Sequence, residues 1–217
     1  MSETVDQLTR AAEEEFLELW TRGPSQTTWA ELPPQIGDAA PDLPLTDHTG
    51  ATVRLSEAWL HRPALLIFWR HFGCGCGLAR AERLRKEHAD YVGVGANVVI
   101  IGQGEPERAA AYRAQQELEP PILCDPDYVA YHTYGLRDAT VSQVLYDAPR
   151  DMWTHERAVG EEFQRSRREQ GRPLVDSPWL LQGEFVVDTD GTIRLAHRYQ
   201  HCEDFPEPLV LIAAITG

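Results

Sequence analysis

The stretch ALLIFWRHFGCGCGLARAERL, residues 64–84, joins a short apolar run to a charged segment with helical spacing. The run ALLIFW (64–69) is continuous and bounded, which is typical of a strand buried on both faces of a sheet. From Leu78, apolar residues recur every three or four positions as far as Gly93, which predicts a helix. Two cysteines one glycine apart therefore lie at a junction between a strand and a helix.

The sequence around this junction predicts the rest of a sheet. NVVIIG (97–102) is a second buried strand, so a crossover helix would join two parallel strands. Another helix begins at Pro106, and a short strand is expected within PPILCDPD (120–127). GEFVVDTDGTIRLAHRY (183–199) has the alternation of a β-hairpin, and EDFPEPLVLIAAI (203–215) predicts a closing helix. The order predicts an α/β fold in which helices flank a central mixed β-sheet.

Two segments lie outside this pattern. Residues 1–35 are expected to form an N-terminal amphipathic helix, ending near Gly23, and a proline-rich linker that begins at Thr27. This helix would pack on the domain of residues 36–217 or on a second copy of the chain in a homodimer. Residues 138–178 show no clear strand and one charged, exposed helix, so we interpret them as an insertion before the last hairpin.

Composition excludes several classes of partner. The chain has 217 residues, 42% of them hydrophobic, and a formal net charge of −14, so its overall charge does not favour nucleic acid or an anionic membrane. It contains no apolar stretch long enough for a membrane helix, and its acidic start is unlike a signal peptide, so we expect a cytoplasmic protein. We expect no cofactor.

Four cysteines in a chain of this size do not form a disulfide scaffold, so the close pair Cys74 and Cys76 needs a chemical explanation. The thiolate is the reactive form of cysteine, and the first turn of a helix stabilises an anion. Residues two apart on a helix point in different directions, so a Cys74–Cys76 disulfide requires non-helical backbone. Gly75 and Gly77 are the residues best able to supply it.

Three interpretations of the pair stay open at this stage: a redox-active site, a structural pair of small buried residues, and a soft metal site. His71 and Cys202 could add ligands to a metal site. However, zinc sites that can be recognised in a sequence usually have two short-spaced ligand pairs, and only one is present here.

The chain resembles the thioredoxin-like redoxins of the alkyl hydroperoxide reductase and thiol-specific antioxidant superfamily, in its peroxiredoxin-like branch. The resemblance covers about residues 36–215 except the insertion, and implies a thioredoxin-like fold whose reactive cysteine is Cys74. It also implies a peroxide or disulfide substrate and a reductant that is thioredoxin-like or a low-molecular-weight thiol. The matching pieces are IGDAAPDLPLTDHTGATVRLS, LLIFWRHFGCGCGLARAERL, VVIIGQGEPERAAAYRAQQEL, PILCDPDYVAYHTYGL and LLQGEFVVDTDGTIRLAHRYQHCEDFP.

The chain departs from the pattern of that family at its site. The second cysteine of the branch would fall on Gly77, whereas here it is Cys76. The proline and threonine that precede the peroxidatic cysteine would fall on Ile67 and His71. The distant active-site arginine, and the cis-proline of thioredoxins, would both fall near Gln182, so Pro178 is at best displaced.

The preferred hypothesis is a thiol oxidoreductase in which Cys74 is the nucleophile and Cys76 resolves the product. Arg70 or His71 would then act as a cation that favours the Cys74 thiolate. The alternative is a non-catalytic module of the same fold, whose cysteine pair is structural or holds a metal.

Several other residues have simpler interpretations. Cys202 need not lie near the pair and is a weaker resolving candidate, whereas Cys124 is expected to be structural. We expect His132, His197 and His201 to be surface or core residues. The aromatic residues Trp69, Phe72 and Trp179 either shape a pocket at the thiol or belong to the core.

Overall fold

The computed structural model describes residues 4–25, 28–146, 148, 150–173 and 175–217. Thr27, where the predicted linker begins, lies outside them. The strands are β1 (Pro44–Asp47), β2 (Thr52–Arg54), β3 (Ala64–Phe68), β4 (Asn97–Gly102), β5 (Ile122–Cys124), β6 (Gly183–Val187) and β7 (Ile193–Arg198). The helices are α1 (Val5–Arg22), α2 (Gly75–Gly93), α3 (Pro106–Gln115), α4 (Val129–Thr133), α5 (Val141–Val144), α6 (Arg157–Glu169) and α7 (Pro208–Thr216), with 3₁₀ turns at Leu55–Ala58 and Arg150–Trp153.

The seven strands form one mixed sheet in the order β2-β1-β5-β4-β3-β6-β7. β3, β4 and β5 run parallel, and β6 pairs antiparallel with β3. All five residues of β3 are buried, because it lies inside the sheet with helices on both faces. The sequence therefore predicted the fold class, the strand–helix–strand unit and the final hairpin correctly.

Two layers cover the sheet. One core cluster packs α2, α3 and α7 on one face, and the other packs α4 and the first 3₁₀ turn on the opposite face. A loop of residues 69–74 leads from the end of β3 to the start of α2, and this places the cysteine pair at one edge of the core. Among the described residues, no helix has both the length and the apolarity to cross a membrane.

A third cluster lies outside these layers, where α1 packs on α6. Trp20 of α1 stacks on Trp179 at 5.0 Å between ring centroids, and Phe163 of α6 packs against the same indole. The N-terminal helix therefore packs within its own chain, which is one of the two arrangements open from the sequence. The interpretation of 138–178 as holding one exposed helix is wrong, because α6 buries Gly160, Gln164 and Arg167 along one face.

Candidate active site

The backbone changes from strand-like to helical at Cys74. This residue is the N-cap of α2, with φ −75° and ψ 137°, while Gly75 and Cys76 already belong to the helix. The N–H of Cys74 donates to the carbonyl of His71 at 3.0 Å. Because only Cys74 leaves the helical path, its side chain can turn toward Cys76, and the two residues lie at disulfide distance with 5.4 Å between their Cα atoms.

The glycines around the pair provide space, which corrects the expectation that their backbone freedom is needed. Gly73, Gly75 and Gly77 all have ordinary negative φ values. A Cβ on Gly73 would lie 2.5 Å from Val175, and one on Gly75 would lie 3.0 Å from a guanidinium nitrogen of Arg172. A Cβ on Gly77 would lie 3.2 Å from Trp69. The chain that follows α6 and the residue that follows β3 therefore approach the cysteine turn closely.

Cys76 is the more enclosed of the two cysteines. It is buried, whereas Cys74 is only partly buried. The side-chain N–H of Gln182 donates to the Cys76 sulfur at 3.6 Å and to the carbonyl of Cys202 at 3.1 Å. Cys202 belongs to the same buried cluster as Cys76 and also lines the cavity at Cys74, so it lies much closer to the pair than the sequence suggested.

Arg70 and His71 form the buried start of the loop that leads to Cys74. Arg70 is only 2% exposed, and its guanidinium donates to the carbonyl of Pro178. His71 is also buried, and its burial and the nearby arginines hold its pKa well below the usual range. His71 is therefore neutral near pH 7, and of the two candidates only Arg70 brings positive charge to the site.

A cavity of about 240 Å³ opens on Cys74. Its walls come from the cysteine loop, from α1 and from the residues of α6 and the turn that follows it. The apolar walls are Phe16, Trp20, Val144, Leu145 and Phe163, and the charged ones are Arg70, Arg167 and Arg172. Such a cavity can enclose a small molecule and place it against the first cysteine.

Other residues that the sequence singled out lie elsewhere. Trp69 and Phe72 belong to the core cluster beneath α2, and Trp179 belongs to the cluster between α1 and α6, so none of them lines the cavity. Cys124 lies in the core, and burial raises the pKa of its thiol to about 12. Within the described part of the chain, no group of three or more His, Cys, Asp or Glu residues is arranged to hold a metal ion.

Sequence comparison agrees with this geometry. Residues 36–196 match the family described as AhpC/TSA, which is most of the chain and includes the cysteine loop. The chain belongs to the AhpC/TSA family. The resemblance seen in the sequence is thereby confirmed, and so is the thioredoxin-like, redoxin character of the fold.

Individual AhpC/TSA relatives are distant. The protein called "Putative peroxiredoxin Rv2521" from Mycobacterium tuberculosis is 29% identical over 160 residues, covering 74% of this chain and 82% of that protein. "Thioredoxin-like protein AAED1, chloroplastic" from Arabidopsis thaliana is 28% identical over 94 residues, which are 43% of this chain and only 38% of that relative.

Solved AhpC/TSA-like structures share the fold. The crystal structure of peroxidoxin BcpB from Mycobacterium tuberculosis superposes with a TM-score of 0.59 at 18% identity, covering 84% of this chain and 98% of that one. A thiol peroxidase from Chromobacterium violaceum gives 0.56 at 15% identity, covering 83% and 85%. At such identities the likeness concerns the fold alone.

Sequence reasoning did not identify four site residues that line the cavity but lie outside the cysteine loop in the sequence. They are Arg167, Arg172, Phe16 and Trp20. The available signal was in α6, where Gly160, Gln164 and Arg167 recur at helical spacing and are the buried positions. A run of charges usually indicates a solvated helix face, so this rule did not identify Arg167, the arginine of α6 that faces inward.

Proposed function

We propose that this chain is a thiol-dependent oxidoreductase that reduces a small peroxide or disulfide, with Cys74 as nucleophile and Cys76 as resolving thiol. The observation that carries the proposal is the position of Cys74, which caps α2 and faces a cavity while lying at disulfide distance from Cys76. The cavity has room for a small molecule such as a hydroperoxide beside Cys74.

The proposed cycle balances with these two thiols. The Cys74 thiolate attacks the terminal oxygen of a hydroperoxide, the O–O bond breaks, and the alkoxide leaves and takes a proton, while Cys74 becomes a sulfenic acid. The Cys76 thiol then displaces the hydroxyl group as water, which forms the disulfide. A dithiol or two low-molecular-weight thiols reduce this bond and are themselves oxidised to a disulfide.

The roles proposed for the neighbours follow from their placement. Unpaired N–H groups at the start of α2 and the positive charge of Arg70 favour the thiolate at Cys74. His71 holds the loop through its carbonyl, which accepts the Cys74 N–H, and its neutral ring adds no charge. Gln182 donates to the Cys76 sulfur and so acts as a positioning residue.

The decisive experiment is mass spectrometry of the reduced protein after one equivalent of hydrogen peroxide. We expect a Cys74–Cys76 disulfide in the native chain and a trapped Cys74 sulfenic acid in Cys76→Ser. Cys124→Ser is the control. The Cys124 thiol is buried in the core, so its removal should not change the modification of Cys74 and Cys76. An unmodified pair under these conditions would refute the proposal, and a disulfide between Cys74 and Cys202 would reassign the resolving thiol.

We further propose a cytoplasmic location, where a thiol pool can reduce the pair after each turnover. Residues 36–217 would be the redoxin domain, with 1–35 and about 138–178 as additions to it. Homodimer formation stays a prediction that sedimentation can test, and α1 has its apolar face occupied within the chain.

A further inference from the structure

The cavity at Cys74 concentrates positive charge. Arg70 and Arg167 are almost fully buried, at 2% and 7% exposure, and Arg172 is partly buried at the cavity wall. Across the described ranges, none of the three forms an ion pair with a carboxylate. This is unexpected in a chain with a net charge of −14, where acidic groups outnumber basic ones.

The other buried arginines among the described residues, Arg80 and Arg108, form ion pairs with carboxylates. Arg80 pairs with Glu184 at 2.8 Å and with Glu87 at 2.9 Å. Arg108 pairs with Asp176 at 2.6 Å and with Glu105 at 3.0 Å. Buried charges in proteins are normally paired in this way, because leaving water without a partner is costly. Among the described residues, the two buried arginines without a carboxylate partner, Arg70 and Arg167, therefore both lie at the cavity.

The carboxylates whose charges act on Arg167 and Arg70 have other partners. Glu13 acts on Arg167 through space but forms its ion pair with Arg168, and Asp138 accepts hydrogen bonds from Ser25. Burial and the neighbouring arginines lower the pKa of Arg167 to about 9, which reflects the cost of its unbalanced charge.

Hydrogen-bond donors are left over as well. Arg167 has no partner for Nε and Nη2, and Arg70 has none for Nε and Nη1, within the part of the chain that the structure describes. An orphaned buried donor costs on the order of 1–3 kcal/mol, and more when the group is charged. Such donors are satisfied when a ligand brings acceptor oxygens.

The orientation of Arg167 suits a ligand in the cavity. Its guanidinium stacks over the ring of Phe16 at 4.2 Å, so the plane of the group is held by an aromatic wall. A planar guanidinium with free N–H groups matches the geometry of a carboxylate, which can accept two parallel hydrogen bonds. Trp20 and Phe163 are among the apolar walls of the same cavity.

We propose that Arg167 and Arg172, together with Arg70, form an anion-binding subsite beside Cys74, and that the substrate is an organic hydroperoxide with an apolar body and a carboxylate. The carboxylate would lie on the arginines and the apolar part on Phe16, Trp20 and Phe163. This inference rests on the proposed function for its reaction, in which the anchored hydroperoxide becomes an alcohol and Cys74 a sulfenic acid. The anion subsite itself can be tested without turnover.

The test compares two alkylating reagents that differ in charge. Iodoacetate and iodoacetamide both form an S–C bond with the Cys74 thiolate and release iodide, so the ratio of their rates cancels the ionisation of the thiol. We expect the rate with iodoacetate divided by the rate with iodoacetamide to be about fivefold higher or more for Cys74 than for glutathione in the same buffer. The reason is that the buried cations attract the anionic reagent. Tandem mass spectrometry assigns the alkylated residue.

Variants locate the effect. Arg167→Gln and Arg172→Gln should each lower the ratio to within about twofold of glutathione. Arg165→Gln is the matched control, because it removes the same charge from the same helix at an exposed position that pairs with Glu162. Arg172 is less buried than Arg167, so its variant keeps the test valid if Arg167→Gln does not fold.

Two activity measurements separate this inference from the function on which it rests. Cumene hydroperoxide and its para-carboxylate derivative form a matched neutral and anionic pair, and we expect kcat/KM to favour the carboxylate, with the preference lost in Arg167→Gln. A native rate ratio equal to that of glutathione would overturn the anion subsite. Absence of turnover with both hydroperoxides, together with a high alkylation ratio, would overturn the reduction of organic hydroperoxides and leave the anion subsite standing.

Discussion

At the scale of single residues, the cysteine loop depends on the absence of side chains. Gly73 and Gly75 flank Cys74, and each is approached by the chain that follows α6. At Gly73 the nearest atoms are a methyl of Val175 and the backbone carbonyl of Arg172, neither of which can move far. At Gly75 the nearest atom is the end of the flexible Arg172 side chain. The two glycines should therefore tolerate a methyl group differently.

This difference gives a prediction for two single substitutions. Gly73→Ala should lower the free energy of unfolding by about 1–3 kcal/mol, because it forces an extra atom into a packed site. Gly75→Ala should leave stability unchanged or raise it by up to about 1 kcal/mol, since alanine is favoured in a helix and Arg172 can turn away. Urea denaturation followed by circular dichroism measures both. Equal losses in the two variants would contradict this account.

At the scale of elements, α2 is fixed to the sheet by a buried ion pair. Arg80 of α2 meets Glu184 of β6, which also accepts a hydrogen bond from Tyr199, and Glu87 joins the network from the next turns of the helix. Because β6 pairs with β3, this network ties α2, the helix that Cys74 caps, to the strand beside β3. It holds the site in place without entering the cavity.

Glu184→Gln tests this connection. The substitution removes one of the two carboxylates that pair with the buried Arg80 and leaves Glu87. We expect a loss of about 3–5 kcal/mol in the free energy of unfolding. Glu82→Gln is the control, because Glu82 pairs with Lys86 on the exposed face of the same helix and its loss should change stability little. Chemical denaturation of the two variants in parallel gives the comparison. Losses of similar size would mean that the buried pair has no special role.

At the scale of the whole molecule, the cavity depends on how α1 and α6 meet. Gly160 of α6 lies against Leu17 and Trp20 of α1, and a Cβ there would come within 3.0 Å of both side chains. Trp20 and Phe163 are walls of the cavity as well as part of this packing. The helix pair therefore sets the size and access of the site.

Gly160→Leu should separate the two helices and open the cavity. We expect a lower midpoint of thermal unfolding and faster reaction of Cys74 with a bulky maleimide, while the small reagent iodoacetamide should be affected less. Gly93→Leu is the control, since nothing lies within 4 Å of that position at the end of α2. Unchanged maleimide rates in Gly160→Leu would show that the helix pair does not limit access.

The sequence predicted what depends on local pattern. A bounded apolar run predicted β3, helical spacing predicted α2, and their junction placed Cys74. It could not predict Arg167 as a cavity residue, because that depends on packing between α1 and α6, which are more than a hundred residues apart. The nearness of Cys202 to Cys76 likewise depends on the turn after β7, which no spacing rule describes.

The reactive cysteine and most of the arginines at the cavity come from separate stretches of chain. The sulfur of Cys74 comes from the junction of β3 and α2, and two of the three arginines at the cavity come from α6 and the turn after it. Reactivity and selectivity can therefore diverge independently: an exchange of residues 157–172 between related proteins would transfer a preference for one class of molecule while leaving the thiol chemistry of the recipient unaltered.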